Sequence, residues 1–225
     1  PHHEYFFTIV PHTFGLTHYC VVVHPSGRVH LASLRLSLEG FIALFNLANY
    51  RVITLIARLA TLLEQEEIAG LFCEFPSNPL LRTPDLPALH ELAARHGVPV
   101  TVDDTIGTFF NVDVLPNVDF VATSLTKAIS GEGDVMAGAL AVNPQGHFAK
   151  QLPGTSPGGI YARDLAVLEH NSRDFPERMK IANATALELT RFLQTHPAIE
   201  HVWYPGLDPS PVYEELCLAG IFPHS

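Results

Sequence analysis

Three short apolar segments of this chain each run into polar residues able to do chemistry. Asn78 follows the first, Asp103 and Thr105 follow the second, and Ser124, Thr126 and Lys127 follow the third. A lysine amine can condense with an aldehyde to give an imine. A carboxylate can hold a proton on a heteroaromatic nitrogen and so keep the ring an electron sink. Hydroxyls and backbone N–H groups can bind a phosphate. Lys127, Asp103 and the Ser124/Thr126 pair supply these functions in turn, the set that a pyridoxal 5'-phosphate (PLP) site requires. Taken singly, each residue also has a plainer reading. A lysine after a strand is usually just solvated. Asp103–Asp104 could be an ordinary turn or a metal pair, Asn78 could cap its Pro-Ser-Asn-Pro turn, and Ser124 and Thr126 could only shape the exit from a strand.

The elements that must position these groups follow from the apolar pattern. Residues 52–66 have apolar positions at helical spacing, and Ile68–Glu74 has the length of a buried parallel strand, ended by Pro76, Asn78 and Pro79. Asp85 is placed to cap a helix over 86–95 that stops at His96-Gly97. Further strands are expected over Pro99–Asp103, Val118–Thr123 and Ala137–Val142. Strands alternating with a helix imply an α/β fold with a mostly parallel sheet. Ligands bind such sheets at the carboxyl ends of the strands, the edge to which all three polar groups belong. Residues 145–160 are rich in Pro and Gly and read as a loop. A helical stretch from Arg163 to about Thr195 should kink or break near Pro176, and Ala198–Tyr204 reads as another strand. Toward the start, Tyr19–His24 is strand-like and is bounded by the Pro25-Ser-Gly-Arg turn. His12, His18, His24 and His30 recur at an even spacing that would share one face of a long strand. With few carboxylates nearby to support metal ligands, the recurrence reads as chance and no metal is expected.

Composition narrows the function classes. Of 225 residues, 47% are hydrophobic and 16% charged, which excludes a disordered chain. A net charge of −10 with 13 Lys and Arg gives no broad surface for nucleic acid. Cys20, Cys73 and Cys217 are odd in number and lack CxxC spacing, which suits a reducing, cytoplasmic setting. No basic segment precedes an apolar one as in a signal peptide. The most apolar run, Gly40–Leu63, contains Asn46, Asn49, Arg51 and Arg58, so it reads as a helix of the protein and not as a membrane span. Gly131-x-Gly133 lacks the third glycine and the strand-to-helix context of a nucleotide-binding fingerprint, which sets a Rossmann domain aside.

Longer blocks carry a resemblance. Ser124-Leu-Thr-Lys127 resembles the S-x-T-K signature of the Cys/Met-metabolism (trans-sulfuration) PLP-dependent enzymes. Val102-Asp-Asp-Thr105 is similar to that family's V-D-x-T, and Glu74-Phe-Pro-Ser-Asn-Pro79 to its E-x-P-S-N-P, in the same order and at matching gaps. Gly131–Gly138 resembles the glycine-rich segment after the family's lysine. Within the family, Leu71–Leu81, Thr123–Lys127 and Glu169–Phe175 most resemble fungal cystathionine gamma-synthases. The resemblance covers about residues 52–213.

The resemblance implies a PLP-dependent transferase-like (fold type I) large domain with the start of a smaller C-terminal domain and both ends truncated. Residues 1–51 would be unassigned, 52–175 part of the PLP-binding large domain, and 176–225 a linking helix with the beginning of the small domain. It implies that Lys127 binds PLP covalently and shuttles the substrate's alpha proton. Asp103 would pair with the pyridine nitrogen and Thr105 would support the ring. Asn78 would lie near the ring's phenolic oxygen, and Ser124 and Thr126 would bind phosphate. The implied reaction, in methionine biosynthesis, is gamma-replacement on an activated homoserine ester with cysteine. Elimination by a sister lyase, or an incomplete non-enzymatic fragment, are the alternatives. A small amino-acid substrate and a homo-oligomer (dimer or tetramer) are implied as partners. The family's upstream phosphate loop, its ring-stacking aromatic and its Tyr-x-Arg are not found in residues 1–51, and its carboxylate-binding arginine falls beyond Ser225, so the chain reads as a fragment.

Overall fold

The computed structural model describes residues 21–23, 29–31, 52–65, 68, 70–149, 161–207 and 209–218. β1 (Val21–Val23) and β2 (Val29–Leu31) form an antiparallel pair of their own. His30 lies in β2, whereas His12, His18 and His24 lie outside the described residues. Among the described residues no group of three or more His, Cys, Asp or Glu is placed to hold a metal ion.

The main sheet has four strands in the spatial order β3 (Leu71–Glu74), β4 (Val100–Asp103), β5 (Phe120–Ser124), β6 (Gly138–Val142). The first three are parallel, with Glu74 opposite Asp103 and Asp103 opposite Ala122. β6 runs antiparallel to β5, with Ser124 opposite Gly138. The mostly parallel sheet is therefore present, and its last strand departs from it. The physical reason lies in the connection. A parallel return needs a crossover, usually a helix, and residues 125–137 form only a tight turn and a short excursion before pairing beside the strand they left.

The helices are where the apolar spacing puts them. α1 (Val52–Gln65) contributes Leu63 to the main apolar core, and the half-buried Ile56, Leu59 and Ala60 pack against that core. α2 (Leu86–Arg95) buries Leu86, Leu89, Leu92 and Ala93, and the Asp85 carboxylate caps it by accepting the Ala88 N–H at 3.1 Å. Gly97 ends it with φ +68, a conformation glycine adopts at no steric cost. α3 (Thr108–Asn111) and a 3-10 turn (Leu115–Asn117) bridge β4 to β5. The long helical stretch breaks, as Pro176 requires, into α4 (Ala162–Asn171) and α5 (Phe175–Thr195). Pro176 occupies the first turn of α5, where its missing N–H is harmless. α6 (Pro211–Leu216) returns Tyr213 and Leu216 to the main core and is capped by Ser210, whose hydroxyl accepts the Tyr213 N–H at 3.1 Å.

One expected element is absent. Residues 198–204 form no strand. Their apolar and aromatic character, Ala198-Ile199 and Val202-Trp-Tyr204, only permits strand geometry. A strand also needs a neighbouring ladder, and among the described residues none runs beside this segment. Among the described residues no helix is long and apolar enough to cross a membrane.

Phe75, Leu86, Val100, Val102 and Val118 are fully buried, and Phe75 stacks on Tyr213 with ring centroids 5.8 Å apart. Phe75→Ala is therefore expected to destabilise the fold by about 3–5 kcal/mol, from lost transfer energy plus a cavity. A urea unfolding midpoint checks this, and a loss below about 1 kcal/mol would contradict the packing.

Candidate active site

The carboxyl ends of β3, β4 and β5 lie side by side because the strands are parallel and in register. Asp103, the last residue of central β4, is half-buried. Its Oδ1 accepts the Thr105 N–H at 2.8 Å, and the Thr105 hydroxyl in turn accepts the Ser124 N–H at 2.9 Å. Asp103, Thr105 and Ser124 thus form one hydrogen-bonded chain across the ends of two strands.

The neighbouring carboxyl group does something else. Asp104 is 2% exposed and accepts the Thr123 hydroxyl, while its N–H continues the ladder to Ala122 O at 3.1 Å. The two acids are committed to different partners. Burial pushes the Asp104 carboxyl above its ordinary value, against the pull of the Thr123 hydroxyl, and the negative charge of Asp103 adds to the rise. A raised value in the folded state means that the fold favours the protonated form. That contribution is complete below the ordinary carboxylate range and is lost as pH rises through the raised value. Asp104→Asn keeps an acceptor for Thr123 and removes the charge. Its stability should therefore gain on the parent from about pH 4 upward. Urea midpoints across that window check this, and parallel pH curves for the two proteins would contradict it.

After Ser124 the chain winds into a π-type turn, Leu125–Ile129, with Lys127 at φ −80, ψ −118, outside helical values. Leu125 and Ile129 anchor the turn in a second apolar cluster with Val135, Leu168 and Phe175, while Lys127 between them is exposed. The backbone is tied at both ends. Leu125 N–H donates to Ala137 O at 3.0 Å, Ser130 N–H to Leu125 O at 2.9 Å, and Gly131 N–H to Lys127 O at 2.8 Å. The Thr126 hydroxyl accepts the Ala137 N–H at 3.1 Å and donates to Ala137 O at 3.3 Å, which fixes the start of β6. Among the described residues the Ser124 hydroxyl makes no hydrogen bond, which leaves it open to a ligand.

Asn78 is exposed on the loop after β3, and its N–H donates to Glu74 Oε2 at 3.0 Å. Ser77 closes that loop by donating its N–H to Arg82 O at 2.8 Å and accepting the Arg82 N–H on its hydroxyl at 3.1 Å. Asn78 thus shares the edge with the other groups but not their hydrogen-bond chain. The donor set suits PLP. It offers a carboxylate with one oxygen held by Thr105, an uncommitted hydroxyl at Ser124, and an exposed amine three residues on.

Two residues of the α4–α5 junction escaped the sequence reading. Asn171 Nδ2 donates to Ser130 Oγ at 3.0 Å and to Asp134 Oδ1 at 2.9 Å. Arg178 donates to the carbonyls of Ala128 at 2.8 Å and Ile129 at 2.9 Å. Asn171 falls within the Glu169–Phe175 block that resembled the fungal enzymes, but nothing in the block's composition says what it touches. Arg178 had no signal beyond its spacing from Asp174.

Residues 50–217 match the family of Cys/Met metabolism PLP-dependent enzymes. Among curated proteins, the cystathionine gamma-synthase-like protein ankD of Aspergillus thermomutatus is 44% identical over 162 residues, 69% of this chain and 29% of that protein. The cystathionine gamma-synthase of Neurospora crassa is 42% identical over 157 residues, 68% of this chain and 25% of that protein. Among solved structures, an apo methionine gamma lyase from Micromonospora echinospora superposes with a TM-score of 0.58 at 27% identity, over 70% of this chain and 45% of that one. The chain thus spans less than a third of the length of these curated relatives and less than half of that structure. The strand-end carboxylate and lysine turn found above lie within the matched residues, and the chain belongs to the Cys/Met metabolism PLP-dependent enzyme family.

Proposed function

We infer that this chain carries the cofactor floor of a cystathionine gamma-synthase-type enzyme, which replaces the gamma substituent of an activated homoserine ester with cysteine. The observation that carries this reading is the chain Asp103–Thr105–Ser124 leading directly into the exposed Lys127. The names of relatives more than 40% identical add to it. PLP, when bound, supplies an aldehyde that condenses with amines and a protonated ring that draws electrons from the substrate carbons. Lys127 Nζ holds the cofactor, then takes the proton from the substrate's alpha carbon and moves protons at the beta carbon. Asp103 holds the proton on the ring nitrogen, and the Thr105 N–H fixes which carboxylate oxygen is left for it. The Ser124 hydroxyl meets the phosphate. Thr126 joins it by giving up its longer bond, the donation to Ala137 O. Asn78, exposed at the same edge, would be the residue to meet the ring's phenolic oxygen. On this reading residues 52–175 are part of the large domain and 176–225 lead into a small one, in a cytoplasmic enzyme.

The test is product identity. An activated homoserine ester supplied with cysteine should give cystathionine. Release of a 2-oxo acid and ammonia from cystathionine or methionine, without replacement, would instead assign a sister lyase. No turnover and no PLP uptake at millimolar cofactor would favour a non-catalytic role.

The enzyme should also associate with itself. Met136, Ile181, Phe192 and Phe109 are 78%, 67%, 61% and 59% exposed, apolar side chains that a second copy could cover. Light scattering should report a dimer or larger, and a stable monomer would count against this.

A further inference from the structure

We propose that Arg178 is a positioning residue for Lys127, holding the lysine's turn in shape from its far side. The inference rests on the reading of Lys127 given above. A turn that departs from helical geometry leaves backbone carbonyls without intrahelical partners. Here the Leu125 and Lys127 carbonyls are met by the N–H groups of Ser130 and Gly131. The carbonyls of Ala128 and Ile129, the two residues after Lys127, are met by one guanidinium, through Nη1 at 2.8 Å and Nη2 at 2.9 Å.

That guanidinium is held from behind. Nη2 also donates to Asn171 O at 3.1 Å, and Nε donates to Asp174 Oδ1 at 2.8 Å. Its plane is therefore set by four acceptors on three segments. Arg178 is 32% exposed at the side chain, so these bonds are partly shielded from water. The approach also needs Gly131. At φ +83, a Cβ built there would lie 2.6 Å from Arg178 Nη1. Asn171 extends the same brace by holding Ser130 and Asp134. Lysine could not replace this arginine, because a single ammonium does not present a planar fork to two adjacent carbonyls.

Release of the clamp should let the turn relax and misplace the Lys127 amine. A displacement of about 1 Å at a reacting group can cost about 100-fold in rate. Arg178→Ala, Arg178→Lys and the conservative control Arg191→Lys, on the exposed outer part of α5, are compared in the full chain. Without cofactor, amide exchange at residues 128–131 should quicken by about tenfold or more in both Arg178 variants but not in the control. With PLP, the rate at which borohydride fixes pyridoxyl on Lys127 should fall by about 10–100-fold, and the pH at which the visible band titrates should move. The exchange measurement needs no cofactor, so it can fail or succeed independently of the proposed function. Unchanged exchange and unchanged fixation in Arg178→Ala would overturn the proposal, as would full rescue by lysine. If Arg178→Ala does not fold, Asp174→Ala decides the matter. It removes only the exposed acceptor of Nε and should shift both readouts in the same direction, and no shift would overturn the proposal.

Discussion

Lys127→Ala should leave the fold intact and lower turnover by about 10⁴-fold, the upper end of what a positioned proton-transfer group contributes. The side chain is exposed, so its removal should change stability by no more than about 0.5 kcal/mol. The turn keeps its apolar anchors, Leu125 and Ile129, and its backbone ties to Ala137 and Gly131. What disappears is the amine. On the proposed reading, the cofactor would then be held only by contacts at its phosphate and ring, and no base would remain at the alpha carbon. Lys127→Arg should be nearly as damaging although it keeps the charge, because a guanidinium is never deprotonated in a protein and cannot serve as nucleophile or base. Borohydride treatment followed by peptide mapping should place pyridoxyl on the Lys127 peptide of the parent and on no peptide of either variant. Retention of a tenth of parental turnover by Lys127→Ala would end the assignment.

The lysine and its carboxylate were readable in the sequence because they sit at strand ends, and strand ends are marked. Val100, Thr101 and Val102 form a run that buries on both faces, and such a run announces a central strand and its exit at Asp103. Asp85 announced α2 by its place before an apolar repeat, and Pro176 announced the break between α4 and α5. Each of these signals is local. What could not be read is set by contacts between distant segments. The direction of β6 depends on which edge its connection reaches. The failure of residues 198–204 to form a strand depends on there being, among the described residues, no partner beside them. The different fates of Asp103 and Asp104 depend on which face of the chain meets Thr123, a residue from another strand. Arg178 reaches carbonyls about fifty positions back in the chain, and no periodicity encodes that.

Asp103→Asn should separate cofactor activation from cofactor binding. The Asn side-chain oxygen can still accept the Thr105 N–H, so the chain from Asp103 through Thr105 to Ser124 survives and the phosphate end of the site is undisturbed. The negative charge that, on the proposed reading, faces the ring nitrogen does not survive. A neutral amide no longer favours the protonated ring, and the electron sink weakens where charge develops during the reaction. Loss of one preorganised electrostatic contact of this kind costs about 10²–10³-fold in kcat. The cofactor should bind no more than about tenfold more weakly, about 1.4 kcal/mol, because the phosphate contacts and Lys127 remain. Asp104→Asn is the matched control. It removes a charge one residue away from a carboxyl that faces Thr123 and not the site, and should keep kcat within about threefold. The two acids also interact. The charge of Asp103 helps to raise the Asp104 carboxyl, so Asp103→Asn should lower it and flatten the pH dependence of stability in part. Equal losses of kcat in the two variants would mean that the strand end, and not the charge on Asp103, is what turnover requires.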